Sequence, residues 1–197
     1  MSAFLGPIHY WLFNKIQIQE QFAKELAAQL GKETVLPQLR EELTSLPEGN
    51  LEDIIETDNI HGWLQEKIHL VEKQLACVVE SLLANGVKVE EVHAVAFAFG
   101  KNITKLAGTS TAKEAFTYLN DTLLDGMPCD HVNQIMQEEQ NQVVWMRTVQ
   151  LHEEFWSEKA RTENQYDRLR DHLIQGILAP TNLKYENEAN RRFTIFN

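Results

Sequence analysis

The chain has 197 residues, 43% of them hydrophobic, which is enough for a sizeable buried core and argues against disorder. Its net charge is −11, from 29 acidic and 18 basic residues. That balance speaks against a nucleic-acid backbone or an anionic membrane as the main partner, since both are held by basic patches, and the basic pair Arg191-Arg192 is too little to make one.

The longest apolar run, 94–99, is far short of the roughly 20 residues of a membrane span. The opening Met1-Ser2-Ala3-Phe4-Leu5-Gly6-Pro7 lacks the basic start and apolar stretch of a secretory leader. With two cysteines, Cys77 and Cys129, and no pattern that pairs them, a reduced cytoplasmic setting is the expectation.

In chain order, residues 7–30 carry Ile8, Leu12, Ile16, Phe22, Ala23, Leu26 and Leu30 near helical spacing, with Pro7 at the start and Gly31 as a stop. Residues 36–57 predict one or two short helices broken at 47–50. Residues 59–85 predict a long helix with Ile60, Trp63, Leu64, Ile68, Val71, Leu75, Val78 and Leu82 on one stripe, ended by Asn85-Gly86. Residues 89–107 predict another, striped by Val92, Val95, Ala96, Phe99, Ile103 and Leu106. Thr111 and Glu114 form a capping box for a shorter helix that closes at Gly126. Residues 130–158 predict a long helix capped by Asp130, and residues 163–178 a last one with Tyr166, Leu169, Leu173 and Ile177 inward. No βαβ rhythm or glycine-rich phosphate loop is present. The expectation is an all-α fold, a single antiparallel bundle of six to seven helices over 1–178, with 179–197 as an extended tail packed on it.

The pattern I-H-x-W-L-x-x-K-I occurs at residues 8–16 and again at 60–68. With Gly6 and Asp58 as caps, His9 and His61 each fall in a first helical turn. Each histidine shares a face with apolar residues three and seven positions on, so both are expected to lean inward. The positive end of the helix dipole disfavours imidazolium there, and neutral imidazole is the form that binds a metal. Trp11 and Trp63 point elsewhere and read as anchors. Counting helix directions brings the end of the 130–158 helix to the same end of the bundle, so His152 or Glu153 is expected to join His9 and His61. Glu153 lies on that helix's stripe with Val132, Ile135, Glu139, Val143 and Met146. Two histidines and a carboxylate suit a non-haem Fe, Mn or Zn ion.

Other candidates are weaker. The strings Glu66–His69 and Glu90–His93 have ferritin-type spacing but sit at different levels, and hemerythrin-type spacing is absent. Cys129, just before a predicted helix start and near His131, reads as a candidate reactive thiol; Cys77 reads as packing.

The strings FLGPIHYWLFNKI, NIHGWLQEKI and YLNDTLLDGMPCDHVNQI resemble those of a family of helical proteins of uncharacterised activity from anaerobic bacteria. That resemblance implies a helical fold and no catalytic residue. Two functions follow as expectations. One is a metal- or small-ligand-binding bundle using His9, His61 and Glu153 or His152; the other is a non-enzymatic interaction or scaffold protein acting as a homodimer.

Overall fold

A computed structural model describes residues 4–31, 45–188 and 191–197. Helix α1, Pro7–Leu30, starts as its sequence dictates, with Gly6 as cap and Pro7 in the first helical position. The part of the short-helix expectation at 36–44 lies outside the described residues. From residue 45 on it is met by one turn, α2, Leu51–Ile54. Helix α3 covers Ile60–Ala84, with Asn59 rather than Asp58 as cap; the Asn59 side chain accepts from the Gly62 N–H at 3.1 Å. Helix α4 covers Val89–Ile103, and α5 covers Ala112–Thr122 behind the Thr111/Glu114 capping box. A short α6, Glu158–Thr162, leads into α7, Gln165–Leu178.

The all-α expectation is overturned. The chain is mixed α and β, with a four-stranded antiparallel sheet ordered β1-β2-β4-β3. Strands β1, Asn133–Glu138, and β2, Gln142–Arg147, form a hairpin where one long helix over 130–158 was predicted. The remainder of that stretch is a connection with a single 3-10 turn at Glu153–Phe155. The tail supplies β3, Lys184–Glu188, and β4, Arg192–Phe196. The physical reason lies in the period. The proposed helical stripe has no apolar residue between 137 and 142, whereas Val143 and Trp145 alternate at period two and pair across strands with Ile195 and Phe193. Trp145 stacks on Phe193, centroids 5.4 Å apart, and against Phe116 of α5 at 5.0 Å. The sheet thus covers the helices through one aromatic face. Among the described residues no helix is long and apolar enough to cross a membrane.

The buried apolar residues form two clusters. The larger joins the C-terminal halves of α1 and α3 to α4, α5, α7 and the sheet. The smaller joins the N-terminal halves of α1 and α3 to Leu46, α2 and Leu124. The boundary falls after Ile16 on α1, after Val71 on α3, and between Leu123 and Leu124. Buried polar side chains stand at that boundary: Lys15 and Gln19 on α1, Glu72 on α3, and Asp125 just after Leu124.

Candidate functional site

The repeated helix starts do bring His9 and His61 together, with ring centroids 5.6 Å apart. His9 uses Nδ1 to accept from the Gly6 N–H at 2.9 Å, so it closes its own helix as a capping group. His61 is exposed and His9 half-buried, which corrects the inward orientation. Neither His152 nor Glu153 joins them. Glu153 is exposed in the 3-10 turn, no longer on a helical stripe. His152 binds Glu72, which lies roughly 16 Å along α3 from His61 at about 1.5 Å per residue. Among the described residues no group of three or more His, Cys, Asp or Glu side chains is placed to hold a metal ion. Trp11 anchors α1 by donating its indole N–H to Asp121 at 2.9 Å, and Trp63 packs on Phe13. His69 sits beside Gln65, and His93 stacks on His172. Cys129 is exposed.

The concentrated chemistry is at the seam between the two cores. Glu72 on α3 is 2% exposed and holds two partners: Gln19 Nε2 donates to Oε1 at 2.7 Å, and His152 Nδ1 meets Oε2 at 2.9 Å. His152, also 2% exposed, enters from the β2–α6 connection. Its ring lies nearly parallel to Tyr166 of α7, centroids 4.0 Å apart, and the hydroxyl comes within 2.9 Å of Nε2. Asp125, just after α5, accepts from Arg170 Nη2 and from Asn133 Nδ2 through the same oxygen, each at 2.9 Å. Its other oxygen faces His152 Nε2 at 3.7 Å, an ion-pair distance too long for a hydrogen bond, and has no hydrogen-bond partner. Arg170 Nη1 also donates to the Tyr166 hydroxyl at 3.3 Å. Arg147 of β2 lies over the Tyr166 ring and donates to Asp167 at 2.9 Å.

Burial and charge compete at each group. Burial opposes the charged form of His152, but the Glu72 charge and the carboxylate contacts to Asp125 and Glu72 outweigh it, so its pKa stands above the ordinary value. Burial also opposes ionisation of Asp125. The Arg170 guanidinium beside it, then His152 and Arg147, reverse that and hold the carboxyl well below the usual range. Burial pushes the Tyr166 phenol up, so it stays protonated at neutral pH. The seam is therefore a charge-coupled network, in which His152 faces the carboxyl groups of Glu72 and Asp125, and Asp125 faces Arg170 and His152.

Two shallow, open clefts with different linings both border His152. The first is lined by Gln150, Arg161, Asn164, Tyr166 and Asp167. The second is lined by Gln65, His69, Glu72, Asp130 and Glu154. The space they enclose takes only about one to a few waters, so without movement of the walls only a very small polar molecule fits.

The sequence reading named His152 but with the wrong companions. Asp125, Arg170 and Glu72 had no role in it, and Tyr166 entered only as an inward residue of the last helix. One signal was available: Lys15 and Gln19, one turn apart, sit among the inward positions of α1, where polar groups need partners. Neither a protein-family model, nor a curated protein, nor a solved structure matches this chain.

Proposed function

We propose that this is a small-ligand-binding protein whose site is the polar seam around His152. The observation that carries the reading is that one buried imidazole, fixed by Glu72, borders two separate clefts. Buried ion pairs are weak devices for stability, because apolar side chains of similar volume do as well or better. A network of perturbed groups beside clefts is where ligand chemistry concentrates. The ligand is small and polar, recognised by hydrogen bonds from Gln150, Arg161 and Asn164 and by the His152 ring.

The test is a side-chain NMR titration of His152 with acetate, phosphate, pyruvate and urea. The expected result is a saturable shift of the His152 ring signal by at least one compound, lost in Arg161→Ala. If all four leave His152 unmoved, or shift it no more than exposed His61, the reading is abandoned.

A second reading, self-association as a homodimer, rests on β1. It is an edge strand carrying Ile135, 46% exposed, and Met136, 58% exposed, and an open apolar edge is a template for pairing with another copy. Light scattering on serial dilutions should show a mass that falls with concentration, and Met136→Lys should be monomeric. A parent protein that stays monomeric throughout sinks this reading.

A further inference from the structure

Arg147 and Trp156 each hold buried donors that the fold leaves unused. Arg147, 2% exposed, uses Nη1 to bond Asp167 at 2.9 Å. Its Nε and Nη2 are buried and, among the described residues, meet no acceptor. Those two nitrogens form one edge of the guanidinium, the edge that takes both oxygens of a carboxylate side by side. Trp156, 4% exposed, has a buried indole N–H that likewise meets no acceptor among the described residues. Both groups pack on Tyr166. The Arg147 Cζ lies 5.6 Å from the centre of the phenol ring, and the Trp156 ring stands edge-on to it at 6.0 Å. Trp156, Tyr166 and Asp167 all line the first cleft, so the Arg147 guanidinium begins one hydrogen bond behind the cleft wall.

We infer that Arg147 and Trp156 form an oxoanion subsite of the seam, and that its ligand is a carboxylate of one or two carbons. The inference rests on the seam being the ligand site and names the ligand's class. A buried N–H without an acceptor is costly, and more so on a charged group. Water offsets that cost poorly here. It accepts from two N–H groups but brings two hydrogens of its own, and the free groups of Arg147 and Trp156 are all donors. A carboxylate brings acceptors only. Its charge also suits a guanidinium whose bonded carboxylate, Asp167, engages one of its three nitrogens. Size restricts the acid. The first cleft encloses little more than the space of a water, so a longer chain would have to displace its walls.

Formate is the probe, followed by proton–nitrogen correlation NMR of the Trp156 indole N–H and the Arg147 Nε–H. Both signals are expected to shift saturably. The Trp11 indole, already held by Asp121, is the reference and should stay in place. Formamide, planar and of the same size but uncharged, should produce no saturable shift. Trp156→Phe keeps a ring and removes the N–H; Arg147→Lys keeps the charge and removes the two-nitrogen edge. Each should weaken formate binding at least about tenfold, the loss of one charge-assisted hydrogen bond. If Arg147→Lys does not fold, the binding curve of Trp156→Phe, read at the Arg147 signal, decides. Signals that do not saturate, an equal response to formamide, or undiminished binding in either folded variant overturns the inference. The His152 ring signal is read in the same samples. A His152 that responds while Trp156 and Arg147 stay still overturns the oxoanion subsite alone.

Discussion

Gly176→Ala should cost the protein at least about 2 kcal/mol, read as a lower urea midpoint at an unchanged slope. Gly176 of α7 and Gly100 of α4 lie where the two helices cross at backbone contact. A Cβ added at Gly176 would sit 2.1 Å from the Phe97 carbonyl oxygen, and one at Gly100 would sit 2.3 Å from the Leu173 carbonyl oxygen. These are main-chain atoms in helices, so the only relief is to move α4 and α7 apart along the most extensive helix pairing in the structure. Overpacking of this kind costs about 3 kcal/mol at the upper end of its usual range. Alanine's better helix propensity returns about 1 kcal/mol, so the clash wins. Gly108→Ala is the control. Its Cβ would meet nothing closer than 3.8 Å, and a change within about 0.5 kcal/mol is expected. A loss at Gly176 no larger than at Gly108 would show that the helices separate freely.

Asp125→Ala should be more damaging, about 3–5 kcal/mol, because it strands the buried Arg170 guanidinium and removes one of the two carboxylates facing His152. The pair is the test of cause. Asp125→Leu with Arg170→Leu removes both charges at once and should recover most of the loss, since apolar replacement of a whole buried pair is often neutral or better. If the double variant is as unstable as Asp125→Ala, the loss comes from shape and not from the orphaned charge. The pH dependence carries the same signature. The folded-state pKa of Asp125 lies below its unfolded value, so its contribution is present above pH about 4 and is lost as pH falls through the folded value. His152 is shifted upward, so its contribution is complete below pH about 6.5 and is lost as pH rises through the folded value. Lys15 acts in the opposite sense: its folded value is about 8, below the unfolded 10.5, so its burial cost fades as pH climbs between the two. Chemical denaturation of Asp125→Ala at several pH values should show the acid limb flattened.

The helices were legible because each carries its own signals. Pro7, the Thr111/Glu114 box and the Asn85-Gly86 stop are local, and the structure follows them within a residue or two at most ends. The hairpin at 133–147 was missed because Ile135, Val143 and Met146 fit a helical wheel when the polar gap between them is ignored. What makes Val143 and Trp145 a strand is their pairing with Ile195 and Phe193, far along the chain. The seam was hidden for the same reason. Glu72, Asp125, His152 and Arg170 come from four separate segments, and no local spacing links them. The repeat at 8–16 and 60–68 did record a real proximity, but its first histidine is occupied with capping and its second is in solvent.

The order of strands also bears on how the chain must be made. β2 sits in the middle of the sheet, yet one neighbour, β4, is separated from it by α6, α7 and β3. At a synthesis rate of about 5–20 residues per second, that interval lasts for several seconds. During that time Val143, Val144 and Trp145 have an open hydrogen-bonding edge, and Trp145 has Phe116 beside it but not yet Phe193. A newborn chain therefore passes through a stage in which β2 is paired on its β1 side and still open on the side that β4 will occupy.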